Sequence, residues 1–218
     1  TWWPYWDGGN PFEFTYAPLV PALTAAWSVL GGIPHGVAFH CVMGLLLCLG
    51  PVLVFLMAWR LTRAVTYSFI AALVYSLTAI TQILVPDTEF GLTKIWDARR
   101  LFLVTAWDET PHLAAIPLLP LVILFLARSI ETRRKGYYAA TALSMAAVTL
   151  CSAFGPVMTI MAAVCLLVSL GREHWMGNTF LTIALGAWAW AIAAPFLSPS
   201  LILAIREASA NSSEAERW

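Results

Sequence analysis

The polar residues best suited to chemistry lie in residues 86–111, between two apolar stretches of the sequence. Asp87 and Glu89 are two positions apart, so their carboxylates can converge on one divalent cation such as Mg²⁺ or Mn²⁺, because hard ions take several oxygen ligands. A cation at this place would neutralise a phosphate or pyrophosphate leaving group. The alternative is that both acids are simply solvated on an exposed loop.

The same stretch also holds residues that can contact a phosphate or move a proton. Arg99 and Arg100 could grip a phosphate through parallel N–H···O bonds, or they could anchor the loop to anionic lipid headgroups. Glu109 and His112 directly precede an apolar stretch, and we assign them to acid-base catalysis or phosphate contact. For His112 the alternative is a histidine that only caps a membrane helix at the interface.

Aromatic residues are concentrated in the first 19 positions, together with glycine and proline turns. Trp3, Trp6 and Tyr16 could form rigid walls for a flat, partly apolar ligand such as a sugar. The alternative is an interfacial belt of aromatic residues, which is common in membrane proteins.

The composition sets the environment in which these residues work. Hydrophobic residues make up 60% of the 218 positions, charged residues only 11%, and the mean hydropathy is +0.77. An average soluble domain has about 25% charged residues, so this composition argues against a soluble protein. Twelve basic residues balance twelve acidic ones, which leaves no basic field for a nucleic-acid partner.

The apolar stretches predict an all-α fold, a polytopic bundle of about six transmembrane helices. A shorter apolar stretch, residues 17–30, predicts an interfacial helix that lies along the outer surface or dips partway into the membrane. The run 137–170 is too long for one crossing, so we divide it at Phe154-Gly155-Pro156 into two short helices. The other four crossings are 36–59, 64–85, 112–127 and 179–197.

We predict one membrane domain in a fragment of a longer protein, because the chain starts without a leader and stops within a polar run. Residues 1–35 form an outer loop with the interfacial helix, residues 36–205 form the helix bundle with its outer loop 86–111, and residues 206–218 start a further outer segment.

The basic residues predict the orientation of the bundle. Three loops, 60–63, 128–135 and 171–174, fall on one face and hold seven Lys and Arg residues, so we assign that face to the cytoplasm. The opposite face then holds the first 35 residues, the loop 86–111, the turn at Gly155 and the tail, and with them most of the acids. No Asp, Glu, Lys or Arg lies in the middle of a crossing, which argues against a proton-coupled pump.

Three motifs give the chain a resemblance to the GT-C superfamily of membrane glycosyltransferases. The nearest members are bacterial and archaeal integral membrane proteins known as 6-pyruvoyl-tetrahydropterin-synthase-related. The motifs are Trp3-Pro4, Gly8-Gly9-x-Pro11 and Phe14-x-Tyr16-x-Pro18-Leu19 in the first segment, Glu109-Thr-Pro-His112 before Pro117-x-x-Pro120-Leu121, and the run 201–213.

This resemblance implies an enzyme of the bacterial or archaeal plasma membrane that takes a sugar from a polyprenyl-phosphate carrier. The acceptor would lie on the extracytoplasmic side, and the partners would be the lipid-linked donor and membrane lipids. Asp87-Thr88-Glu89 resembles, in position and type, the paired acids of oligosaccharyltransferase-like members. The essential carboxylate that such families keep after their first membrane helix would precede Thr1. A multispanning transporter and a catalytically inactive scaffold are the alternatives.

Overall fold

The computed structural model describes the backbone of residues 2–3 and 10–11, and residues 17–78, 110–171, 174–197 and 203. Within these ranges the chain forms seven helices and one antiparallel pair of two-residue strands, which confirms the predicted all-α fold. The strands are β1 (Trp2–Trp3) and β2 (Asn10–Pro11). The helices are α1 (Leu19–Gly31), α2 (His35–Thr62), α3 (Val65–Leu77), α4 (Thr110–Thr132), α5 (Lys135–Cys151), α6 (Gly155–Ser169) and α7 (Trp175–Ala193).

Helices α4 and α5 form the centre of the bundle. Helix α4 packs against α2, α5 and α6, and α5 packs in addition against α7. The largest fully buried side chains come mainly from these two helices, among them Leu126, Val122 and Val148. Helices α4 and α5 therefore fix the positions of the turns at both ends of the bundle.

Three of the described helices, α2, α4 and α7, are long and apolar enough to cross a membrane, fewer than the six predicted. Helices α3, α5 and α6 have 13, 17 and 15 residues. At 1.5 Å per residue they are about 20 to 26 Å long, against a hydrocarbon core of about 30 Å. The prediction counted apolar residues, but turns take up part of each apolar stretch. Helix α3 ends at Leu77 because Thr78 is extended, whereas the prediction continued the helix to residue 85.

The break between α5 and α6 lies where the sequence predicted it. Helix α5 ends at Cys151 and α6 begins at Gly155, with Pro156 in its first turn. A Cβ atom on Gly155 would lie 2.3 Å from the carbonyl oxygen of Val148, so only glycine allows the two backbones to approach this closely.

Helix α1 packs against α2 and α5. Val20 in its first turn belongs to the same buried cluster as Val42 and Met145. Gly32 ends the helix in the left-handed conformation, with φ 60°, and the hydroxyl of Ser28 donates to the carbonyl of Ile33. The short helix predicted for residues 17–30 is thus present as α1, and its placement in a membrane stays a prediction.

The turns fall into two groups at opposite ends of α4. Arg60 at the end of α2 forms an ion pair with Glu131 at the end of α4, and Arg133 donates a hydrogen bond to Asn178 in the first turn of α7. These contacts bring the loops 60–63 and 128–135 together at one end, as predicted, and the start of α7 lies at the same end. Arg172 of the third basic loop lies outside the described residues. At the other end of α4, His112 contacts Ser152.

We refer to these two groups by their residues. The cationic end comprises Arg60, Arg63, Arg128, Glu131, Arg133, Arg134 and Lys135, and the His112 end comprises His112, Ser152, Phe154 and Gly155.

Hydroxyl groups are buried between the helices, and large apolar side chains face outward. Ser129 and Thr141 are fully buried, and their hydroxyls hydrogen-bond at 2.8 Å between α4 and α5. Leu30 and Met176, in contrast, are 88% and 83% exposed. Large exposed apolar surfaces are rare in water-soluble proteins, and hydroxyl bonds between helices are common in membranes. The described fold is therefore compatible with a membrane protein.

Candidate functional site

His112 lies in the first turn of α4, where the chain enters the bundle. Its ring is half-buried, and Nδ1 lies 2.7 Å from the hydroxyl oxygen of Ser152, 40 positions further along the chain. The next three residues, Leu113, Ala114 and Ala115, are buried in the bundle. The imidazole therefore lies at the edge of the apolar core.

Ser152 is fully buried in the turn between α5 and α6, and its hydroxyl contacts both the backbone and His112. The hydroxyl oxygen accepts the backbone N–H of Phe154 at 3.2 Å. Its second contact is the hydrogen bond with Nδ1 of His112, so the hydroxyl links the turn to the imidazole and orients the ring.

Phe154 covers one side of the imidazole. The two ring centroids are 5.1 Å apart with 57° between the ring planes, and Phe154 is 61% exposed. The close approach of Gly155 to Val148 sets the turn that carries both Ser152 and Phe154. His112 has a further interaction besides these contacts.

Ser152 and Phe154 were not among the residues predicted for the site. The sequence does carry one signal for Ser152, which lies three residues before Gly155-Pro156. Serine hydroxyls in turns commonly accept a backbone N–H two residues later. Its contact with His112 has no sequence signal, because it depends on how α4 and α5 pack.

The other predicted site residues lie mostly outside the described part of the chain. Trp3 is in β1, and its backbone pairs with that of Asn10 in β2. The two strands run antiparallel, and the Gly8-Gly9 motif lies between them in the sequence. The remaining predicted residues fall outside the described ranges: Trp6, Tyr16, Asp87, Glu89, Arg99, Arg100 and Glu109. Within the described ranges, no three His, Cys, Asp or Glu side chains group together as a metal site.

A groove of about 240 Å³ lies between α5, α6 and α7. Its described walls are apolar except for threonine hydroxyls, of which those of Thr159 and Thr179 are buried without a hydrogen-bond partner among the described residues. Other threonines, such as Thr149 and Thr182, donate to the carbonyl four residues earlier. The described residues that line this groove include no acid or base.

No protein-family model, curated protein or solved structure matches this sequence. The GT-C resemblance therefore remains a prediction from short motifs. A functional proposal has to be argued from the described residues, and the His112 end is where they hold the side chain of a predicted site residue in a defined geometry.

Proposed function

We propose that this chain belongs to a multispanning GT-C-type membrane glycosyltransferase, which transfers a sugar from a polyprenyl-phosphate-linked donor to an acceptor on the extracytoplasmic face. The observation that carries the proposal is the contact of His112 with the buried Ser152 at the end of the bundle opposite the basic turns. This contact supports the proposal because the sequence predicts that the substrate binds at the same end of the bundle.

The membrane placement is supported by the distribution of tryptophan and charge. Tryptophans favour the headgroup level of a bilayer, and half-exposed tryptophans lie near both ends of the described bundle. Trp59 and Trp175 lie near the cationic end, and Trp27, Trp188 and Trp190 lie near the His112 end. Among the described residues, every Lys, Arg, Asp and Glu belongs to the cationic end.

We propose six crossings, with α3, α5 and α6 as short ones beside the three longer helices. Helix α5 supports this, because it runs antiparallel to α4 from the Arg134 turn to Ser152, which contacts the start of α4. At 1.5 Å per residue α5 is about 26 Å long and α4 about 35 Å, so α5 covers about three quarters of the length of α4. Packed neighbours can shield the ends of such short helices.

His112 acts in this proposal as a ligand for the donor phosphate. The Ser152 hydroxyl orients the imidazole, and an imidazole N–H is a donor that suits an anionic phosphate oxygen. Glu109, three positions earlier, is then the candidate for proton transfer.

The residues outside the described ranges complete the proposed site. Asp87 and Glu89 would hold a divalent cation, and Arg99 and Arg100 would contact the phosphate. Trp3, Trp6 and Tyr16 would form the walls against the sugar.

A transporter is less well supported by the described helices. Such proteins bind substrate where helices are interrupted near the middle of the membrane. In this chain Pro51 of α2 and Pro117 and Pro120 of α4 lie within continuous helices. The fold would equally suit an inactive scaffold, which an activity measurement distinguishes from an enzyme.

The test is sugar transfer by the full-length protein that contains this chain, in liposomes with a radiolabelled polyprenyl-phosphate sugar. We expect His112→Ala to reduce turnover by about 10²-fold to 10³-fold, as loss of an oriented hydrogen-bond donor does elsewhere. The matched control is His40→Ala, because His40 is exposed on α2 and packs edge-on against Phe39. Equal turnover of the two variants would remove His112 from the site, and no transfer by the natural protein would contradict the function.

A second test addresses the proposed cation. Replacing Asp87 and Glu89 by Ala should abolish transfer if they hold the metal, and a chelator should do the same to the natural protein. Full turnover in either experiment would remove the metal from the proposal.

A further inference from the structure

The cationic end carries a large excess of positive charge. Within the described ranges it holds six Lys and Arg residues and one acid, Glu131. Opposite charges nearby would normally offset such a cluster, because like charges repel one another at short range. An anion bound from outside the described part of the chain would offset this charge.

Three of the six cations are already used inside the protein. Arg60 and Arg128 share the carboxylate of Glu131, and Arg128 also lies 5.4 Å from the ring centre of Tyr137. Arg133 donates a hydrogen bond to Asn178. These contacts tie the ends of α2, α4 and α7 together.

The other three cations have exposed side chains and no ion-pair or hydrogen-bond partner in the described part of the chain. Arg63 ends α2 in the left-handed conformation, with φ 58°, and Arg134 and Lys135 stand at the start of α5. The Arg60 to Glu131 ion pair joins the two turns on which they lie. Their backbones are thus fixed at one end of the bundle while their charges remain available.

The surroundings of these charges are those of a lipid headgroup rather than of bulk water. Trp59, one turn before Arg63, is 43% exposed, and tryptophan favours the headgroup level. Leu61 and Val65, on either side of Arg63, are 48% and 59% exposed. Apolar side chains beside a free cation suit a ligand that has both a phosphate and hydrocarbon tails.

We propose that Arg63, Arg134 and Lys135 bind the phosphate headgroup of an anionic phospholipid at the cationic end of the bundle. The proposal rests on the membrane placement given above but not on sugar transfer. The lipid would neutralise charges that the protein leaves unpaired and would fix the depth of α2 and α5 in the bilayer.

The experiment measures lipid binding to the purified full-length protein in an uncharged detergent, where membrane orientation plays no part. The probes are phosphatidylglycerol, phosphatidylcholine and inorganic phosphate, and the readouts are the shift in Tm and the bound lipid seen by native mass spectrometry. We expect phosphatidylglycerol to bind and to raise Tm, and the other two probes to have little effect.

The decisive variant is R63Q/R134Q/K135Q, compared with R63K/R134K as a matched control that keeps every charge. Each charge near a headgroup changes affinity by about fivefold, so the neutral variant should bind phosphatidylglycerol about a hundredfold more weakly. The control should bind it nearly as the natural protein does. Since all three side chains are exposed and unpaired, Tm without lipid should be the same for all three proteins.

Salt provides a measurement on the natural protein alone. Binding of phosphatidylglycerol should weaken strongly between low and high salt, because exposed charges are screened. Equal binding by the neutral variant, or binding independent of salt, would overturn the proposal. A rise in Tm with inorganic phosphate as large as that with phosphatidylglycerol would instead indicate a site for free anions and would also overturn it.

Discussion

The two ends of this bundle are held together by different interactions. At the cationic end, the ion pairs of Glu131 join α2 to α4, and their side chains are 20% to 40% exposed. At the His112 end, α4 and α5 are joined by the hydrogen bond between His112 and the buried Ser152, and α5 meets α6 in backbone contact at Gly155. Exposed ion pairs contribute little to the free energy of unfolding, and their contribution depends on salt. Buried packing contributes more and does not depend on salt.

This difference indicates that the two ends of the bundle have different roles. Exposed, loosely paired charges can set the orientation of the chain and respond to lipids, but they do not fix the position of a side chain to within a few tenths of an ångström. A site that must orient a histidine therefore needs the rigid end. Four substitutions test whether the two ends differ in this way.

The largest effect is expected for Gly155→Ala. The new Cβ would lie 2.3 Å from the Val148 carbonyl oxygen, and because the clash is with backbone, the α5 to α6 turn must move. We expect a loss of about 3 kcal/mol in the free energy of unfolding. Unfolding in mixed detergent micelles measures it, with Gly177→Ala as the control because that Cβ would meet nothing within 4 Å. Equal stability of the two variants would refute the packing argument.

Ser152→Ala should come next, at about 1 to 2 kcal/mol, because Phe154 N–H and His112 Nδ1 both lose their partner. The ¹⁵N NMR spectrum of His112 should also change, since Nδ1 loses its hydrogen bond to the Ser152 hydroxyl. Ser144→Ala is the control, because its hydroxyl only donates to the carbonyl of Thr141 within the same helix. An unchanged imidazole spectrum would show that Ser152 does not hydrogen-bond the ring.

Glu131→Gln should cost less than about 1 kcal/mol, although it removes a carboxylate shared by two arginines. The loss should disappear at high salt, whereas the loss for Ser152→Ala should not. A Glu131→Gln effect that persists at high salt would mean that both ends depend on buried interactions. The contrast between the ends would then be wrong.

The smallest effect is expected for Ser129→Ala, in the bond that joins α4 to α5 within the bundle. We expect about 0.6 kcal/mol, because Thr141 keeps its second bond, to the carbonyl of Tyr137. A double-mutant cycle with Thr141→Val isolates the pair. A coupling above about 2 kcal/mol would show that this bond, rather than either end, holds the centre together.

The sequence predicted where helices occur better than it predicted how long they are. The glycine and proline at positions 155 and 156 located a turn correctly, because both residues act on the backbone next to them. Helix α7 begins at Trp175, whereas the prediction placed its start at residue 179, and it ends at Ala193, before Pro195. An apolar stretch does not by itself define the first or the last residue of a helix. Loops 60–63 and 128–135 were grouped correctly, since a simple count of crossings places them at one end.

The geometry of the site could be predicted only in part. Position 112 was identified from its residue type and from its place before an apolar stretch. Its partner at position 152 depends on the register between α4 and α5, which no local pattern reveals. The Arg60 to Glu131 ion pair, 71 positions apart, was missed for the same reason.

The tight approach at Gly155 also bears on how sequence variants of this protein should be interpreted. Position 155 touches no substrate in the proposed site, yet it belongs to the turn that presents the serine to the imidazole. A methyl group there would disturb the hydrogen bond that orients a ring in another helix. A natural or laboratory variant at this glycine would thus resemble an active-site lesion, and only a stability assay beside the kinetic one would reveal its mechanical origin.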